Sequence, residues 1–423
     1  MAGRFLMHDF QYKNGELYCE EVPLEEIASE MGTPLYVYSY HTLVDHFQKL
    51  DDAFAGIPHL VCYSVKANPN LALLKILSDR GAGADVISGG ELFRAIKAGV
   101  SPNRIVFAGI GKTQEEIEQA LDLGVLMLNV ESSEELKMID QIAGAMGKKA
   151  RIALRVNPDI DARTHPYVAT ALKEAKFGID MDEALEGYRM ARGMDNLEVT
   201  GVHLHLGSQI TDVDPYLEAV EKVEDLVVAL QEEGFQIRYV NMGGGFGIPY
   251  QYEEVPLPAD YAAVVGPVLE KLGCVTIWEI GRMIVGNAGV LLTRVLYRKS
   301  TQRKEFIIVD AAMNDLIRPS LYGSYHEIKA VRESERPTVK ADVVGPVCES
   351  GDFLALDRDL PIFDQGELAA VMGAGAYAFS MSSNYNSRRR AAEVLVKGDR
   401  WYVIRRREAF EDLIRGEEIP EGL

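Results

Sequence analysis

Lys66 interrupts an otherwise apolar run, Val61 to Val65. An amine in such a strand is expensive to bury unless it is paired or neutralised. It is either a side chain reaching solvent from the strand mouth or an amine of depressed pKa that attacks a carbonyl and forms a Schiff base. Gly243, Gly244 and Gly245 are consecutive. They make either a tight turn or a cradle where backbone N–H groups approach an anion, with the Ser208 hydroxyl as a further donor. His203 and His205 alternate by two and share a strand face. A histidine lying flat on a ring, with its neighbour structural, is more economical than a two-histidine metal site lacking a third ligand at metal spacing. Glu279 either pairs with Arg282 or keeps a ring nitrogen protonated.

The elements that must carry these residues repeat one pattern. A short apolar run is followed by polar or glycine residues and then by an amphipathic helix. Eight such runs begin near Val61, Gly83, Arg104, Leu126, Arg151, Thr200, Tyr239 and Thr276. Helical spacing covers 71–80, 90–98, 114–123, 133–146 and 215–233. Eight strands with intervening helices in roughly 220 residues predict a (β/α)8 barrel rather than an open doubly wound sheet, whose glycine-rich turn would follow its first strand. In a barrel, chemistry belongs at the C-terminal strand ends. Lys66, Asp85, His205 with Ser208, Gly243–Gly245, and Glu279-Ile280-Gly281-Arg282 all fall there. After Arg282 the pattern turns β-rich, with runs at 288–297, 306–310, 338–344, 368–372, 392–396 and 401–405. The expected division is 1–33 as an N-terminal hairpin and helix that joins the β domain, 34–282 as the barrel, and 283–423 as a C-terminal β-sandwich or β-barrel domain. Asn14-Gly15 marks the hairpin turn.

The 423 residues carry 44 basic and 64 acidic side chains, a net charge of −20. That balance argues against nucleic acid and anionic membrane as partners. Hydrophobic residues make up 47% of the chain and mean hydropathy is −0.05, which excludes a largely disordered chain and an integral membrane protein. Cys19, Cys62, Cys274 and Cys348 are too widely spaced for a zinc cluster or a disulfide framework. A reducing, cytoplasmic setting is expected.

A lysine for an aldehyde, glycines for a phosphate, an acid for a ring nitrogen and a histidine for the ring face match the features of pyridoxal 5'-phosphate. The chain resembles the barrel-type pyridoxal-phosphate-dependent decarboxylases, and within them the diaminopimelate decarboxylases. The resemblance lies in YSVKAN around Lys66, GADVISGGEL from Gly83, HLHLGSQ from His203 and NMGGGFG from Asn241. It continues in NDLIRPSLY from Asn314, GPVCESGD from Gly345 and GAYAFSMSSNYN from Gly375. It implies that Lys66 carries the cofactor, that His205 stacks on its ring, and that Ser208 and Gly243–Gly245 hold the phosphate. Glu279 would then face the pyridine nitrogen, with Asp85, Ile280 and Gly281 beside the cofactor. Arg282, Arg318, Tyr322 and Glu349 look like substrate ligands, and Tyr377 like a contact to both phosphate and substrate. Cys348 resembles a proton donor supplied by the second subunit of a head-to-tail homodimer. The implied reaction is decarboxylation of meso-2,6-diaminopimelate to L-lysine and CO2. Decarboxylation of ornithine, arginine or lysine is the alternative, and a non-catalytic cofactor-binding homeostasis protein a more distant one. The family usually has Pro at Ile280, Ser at Met283 and Gly at Ala171.

Overall fold

In a computed structural model, residues 8–161, 176–251 and 253–423 are described. They form two compact units. The first takes its described residues from Val44–Pro249 and Glu254–Ile284. Its eight barrel strands are β1 (His59–Ser64), β2 (Gly83–Val86), β3 (Ile105–Phe107), β4 (Met127–Val130), β5 (Ala150–Asn157), β6 (Leu197–His203), β7 (Tyr239–Asn241) and β8 (Val275–Ile280), and a two-residue strand, Ile179–Asp180, pairs with the end of β5. All neighbours pair in parallel, and β8 pairs with β1, so the barrel closes. Each of the eight expected runs supplies one strand.

The helices begin where capping side chains stand. Asn70, Ser88 and Ser132 each accept a backbone N–H of the following helix, and Thr113 with Glu116 forms a reciprocal capping box. These caps lie just after strand ends, so each chain reversal is fixed locally before the apolar helix face packs on the sheet. The helices Leu71–Ser78, Gly89–Lys97, Gln114–Leu123, Ser133–Ala145 and Asp214–Glu232 match the expected ones within two residues.

The second unit takes residues 8–43, Tyr250, Gln251, Glu253 and 285–423. Its main sheet runs in the order Phe353–Pro361, Thr338–Val344, Glu305–Val309, Gly289–Ser300, Leu35–Ser39, Ala392–Lys397, Arg400–Arg405. The N-terminal hairpin, Phe10–Lys13 with Glu16–Cys19, turns through Asn14 and Gly15, both at positive φ. Phe10, Leu17, Leu24 and Ile27 share one apolar core with Val37, Val290, Leu292 and Val394.

The boundary expected at residue 34 falls later. Leu35–Ser39 is a central strand of this sheet, antiparallel to Gly289–Ser300 and parallel to Ala392–Lys397. Its five residues are all buried, as a strand covered on both faces requires.

Candidate active site

Lys66 stands on a single 3-10 turn, Val65–Ala67, directly after β1. Its Nζ lies 2.8 Å from Asp85 Oδ2 at the end of β2. The lysine side chain is 32% exposed and the aspartate wholly buried, so the amine sits at the mouth with its head turned inward. Asp85 Oδ2 also accepts the Ser64 hydroxyl, at 2.8 Å. Burial raises the Asp85 pKa, the nearby Glu279 charge raises it further, and Lys66 opposes both.

Glu279, on β8, is equally buried. Asn129 from β4 and Asn241 from β7 donate side-chain N–H groups to its Oε1, at 3.0 and 2.7 Å. His203 Nε2 lies 3.4 Å from Oε2. Burial lifts this carboxyl, but His203, Lys66 and Asn241 outweigh burial and hold it well below the usual carboxylate range. Arg282 meets another partner, donating Nη2–H to Ser208 Oγ at 2.9 Å. The alternative of a plain Glu279–Arg282 pair is thus replaced by two separate contacts.

His205 Nδ1 accepts the Gly244 N–H at 3.0 Å, so its hydrogen belongs on Nε2. Burial first, then the Arg155 and Lys66 charges, pushes its pKa well down. The ring is therefore neutral.

The glycine triplet is closely packed. A Cβ on Gly244 would lie 2.1 Å from Glu279 O, and one on Gly243 2.4 Å from Leu204 O. Close packing of the turn against β6 and β8 alone demands glycine. The Gly243 amide is spent on Asn241 Oδ1 and the Gly244 amide on His205 Nδ1, so two of the three expected anion donors already have acceptors.

Beside this group, Arg155 and Glu131 form a buried ion pair at 2.9 Å. Glu131 also accepts the Gly178 N–H, at 3.0 Å. Ile280 is the last residue of β8 and pairs with Tyr63, and Met283 is buried in the short helix Arg282–Val285. A Cβ on Gly281 would meet Ala67 Cβ at 2.8 Å. Ala171 lies outside the described residues.

Arg318, Tyr322, Cys348, Glu349 and Tyr377 belong to the second unit. Arg318 opens the helix Arg318–Tyr322 and is buried. It donates Nη1–H to His326 Nε2 at 2.8 Å and lies over the Tyr250 ring at 4.6 Å. Because His326 Nδ1 contacts the Met372 carbonyl, that nitrogen carries the hydrogen and Nε2 is the acceptor. Cys348 is exposed, and its N–H donates to Asn386 Oδ1 at 2.9 Å. Asp352 pins the same loop by accepting the Val347 and Met313 N–H groups. Ser320 ties the helix to the loop through Gly351 O. Tyr377 has φ 56°, a left-handed conformation costly for an aromatic residue.

Asn129, Asn241, Arg155 and Glu131, which surround these groups, and Lys112, which donates to the Asn129 carbonyl, are residues that the sequence left unmarked. All but Lys112 lie in or beside the strand runs; a single amide in LMLNVES carries no signal of a partner 150 positions away.

The buried atoms without a hydrogen-bond partner among the described residues include Asp85 Oδ1, Asn129 Oδ1, Arg155 Nη2 and both ring nitrogens of His203. Unmet buried donors and acceptors are costly, so their presence beside an amine and two carboxylates fits a polar ligand. A phosphorylated pyridine aldehyde offers matching groups.

The family described as the pyridoxal binding domain of pyridoxal-dependent decarboxylases matches residues 40–286. A diaminopimelate decarboxylase of Aquifex aeolicus is 52% identical over 405 residues, 96% of each chain. One of Pseudomonas aeruginosa is 50% identical over 413 residues, covering 98% of this chain and 99% of the relative. The crystal structure of the Helicobacter pylori diaminopimelate decarboxylase complexed with L-lysine superposes with a TM-score of 0.91 at 47% identity, covering 94% of this chain and all of that one. The barrel, the Lys66–Asp85 pair at its mouth, the buried Glu279 and these full-length likenesses agree: the chain belongs to the diaminopimelate decarboxylase family of pyridoxal-dependent decarboxylases.

Proposed function

We propose that this protein decarboxylates meso-2,6-diaminopimelate to L-lysine and CO2, the last step of lysine biosynthesis. The observation that carries the reading is a lysine amine 2.8 Å from a wholly buried carboxylate, at the mouth of a barrel that also buries Glu279 against His203 and two amides. The full-length relatives named for this activity support it.

Pyridoxal phosphate, when bound, supplies an electron-withdrawing ring that takes up the electron pair left as CO2 departs. Every other part is played by side chains of the protein. Lys66 would hold the aldehyde carbon and release it to the substrate amine. Glu279, kept ionised by His203, Lys66 and two amides, would hold a proton at the ring nitrogen. Neutral His205 would cover one ring face, with Asp85, Ile280 and Gly281 alongside. Ser208, Gly243–Gly245 and Tyr377 would take the phosphate, with the Gly245 amide the member of the triplet best suited to donate. Arg282, Arg318, Tyr322 and Glu349 would bind substrate, Arg318 reading the distal carboxylate through charge-assisted hydrogen bonds. Cys348, contributed by the second copy in a homodimer, would return the proton to Cα. Its exposure is in keeping with that role. No helix among the described residues is long and apolar enough to cross a membrane, and Cys19, Cys62 and Cys274 are buried free thiols; a cytoplasmic enzyme accords with both.

The test is CO2 release from a panel of diamino acids. Diaminopimelate should be the preferred substrate; preference for ornithine, arginine or lysine would overturn the substrate assignment. In Arg318→Met, one lost charge-assisted bond is worth ~1.5–3 kcal/mol. Diaminopimelate should therefore lose roughly 10- to 150-fold in kcat/KM relative to a substrate without the distal carboxylate. Equal losses for both substrates would remove Arg318 from that role.

A further inference from the structure

Lys112 lies on the loop between β3 and the helix Gln114–Leu123, and its side chain is 1% exposed. Its Nζ donates to Gly109 O at 2.8 Å and Asn129 O at 2.6 Å, and it pairs with Glu135 Oε1 at 2.6 Å. All three N–H bonds of the ammonium thereby find acceptors. A buried ion pair of this kind adds little net stability over an apolar pair, which directs attention to what it holds in place.

What it holds is the tip of β4. The β3–β4 ladder contains only two pairs, Val106 with Met127 and Phe107 with Leu128. Beyond that ladder, Lys112 takes over by gripping one carbonyl from each side, Gly109 and Asn129. The other end of the ion pair grips the same strand end, since Glu135 Oε2 accepts the Glu131 N–H at 2.8 Å. Asn129 and Glu131 are two apart and share a face. From that face Asn129 donates to Glu279 Oε1, while Glu131 holds Arg155 and the Gly178 amide.

We infer that Lys112 is a positioning residue for the cofactor site: through the Asn129 carbonyl it fixes the amide that orients Glu279. It acts through Asn129 and not by contact with reacting groups. The inference rests on the reading of Glu279 as the partner of the pyridine nitrogen.

The test is a double-mutant cycle read by equilibrium binding of pyridoxal phosphate to the apoprotein. Lys112→Met and Asn129→Ala should each weaken binding about 10-fold, and the double variant by about the same 10-fold, because both changes break one chain of contacts. In Lys112→Met the kcat of the loaded enzyme should fall while KM for diaminopimelate changes less than about two-fold. Unchanged affinity in Lys112→Met, or independent losses that multiply to about 100-fold, would overturn the inference. The cycle is repeated with Glu135→Gln, which removes the stranded carboxylate yet can still accept the Glu131 N–H. Loss of the fold in both backgrounds would make Lys112 a structural brace and also overturn it. The parent protein reports on the underlying reading separately: if it binds no pyridoxal phosphate, the cofactor assignment fails before any variant is compared.

Discussion

Two lysines of the barrel, one buried and one at its mouth, show how environment divides chemistry from structure. Lys112 has all three donors engaged by two carbonyls and a carboxylate, whereas Lys66 stands partly exposed at the mouth. Incubation with pyridoxal phosphate followed by borohydride should therefore add the cofactor's mass at Lys66 and leave Lys112 unmodified, as read by peptide mass mapping. An adduct on another lysine would break the cofactor assignment. Asp315 offers a prediction about pH. Burial pushes its carboxyl up to about 7, against the pulls of Arg388 and the Ala312 N–H. In the unfolded chain it titrates near about 3.9. The folded protein thus keeps a proton that the unfolded chain releases between those values. The stabilisation is complete below about pH 4 and is lost as pH rises through about 7, a swing on the order of 1–4 kcal/mol. Asp315→Asn should flatten that dependence, measured as urea unfolding at pH 5 and pH 8. An unchanged difference between the two pH values would show that Asp315 does not titrate in that range.

Among elements, the turn after β7 is the least forgiving. The Cβ of Gly244→Ala meets a backbone oxygen that cannot rotate away, whereas Gly266, inside the helix Pro258–Leu272, has nothing within 4 Å of a built Cβ and no positive φ. Gly244→Ala should destabilise by about 3 kcal/mol, the upper end of overpacking costs, and weaken cofactor binding with it. Gly266→Ala should stabilise by about 0.5–1 kcal/mol. Urea midpoints of the two variants check both signs. The same contrast shows what a sequence discloses. Lys66, Glu279 and the glycine triplet stood out because their types clash with the apolar runs that carry them. The barrel strands were legible for the opposite reason, a pattern repeated eight times. Asn129 and Asn241 were not legible, because an amide is tolerated anywhere polar and its meaning here comes from Glu279, 150 and 38 positions away. The strand Leu35–Ser39 escaped because its two neighbours begin at residues 289 and 392.

For the whole molecule, the assembly prediction concerns Cys348. If a second copy supplies that thiol, Lys66→Ala and Cys348→Ala are each inactive alone but complementary when mixed. A heterodimer would contain one doubly defective site and one intact site, giving activity near half that of a parental dimer before dilution by inactive homodimers. Subunits are exchanged, heterodimers confirmed by mass, and lysine formation assayed. Confirmed heterodimers without recovery, while each variant stays folded and dimeric, would refute sharing of the thiol.

The strand Leu35–Ser39 also sets a timetable for the growing polypeptide. It is made before the barrel, but its parallel neighbour, Ala392–Lys397, and the next strand, Arg400–Arg405, are made after it. The final barrel strand, ending at Ile280, precedes Arg405 by 125 residues. At ~5–20 residues per second, the ribosome needs about 6–25 s to add them. Until Ala392–Lys397 is made, Leu35, Tyr36, Val37 and Tyr38, all fully buried in the finished protein, lack at least one side of their sheet. An unpaired apolar edge of that kind invites pairing with a neighbouring nascent chain. Ribosome stalling before codon 392 should therefore yield aggregates seeded from the amino-terminal end, and charged substitutions at Tyr36 or Tyr38 would relieve the aggregation only by sacrificing the mature fold.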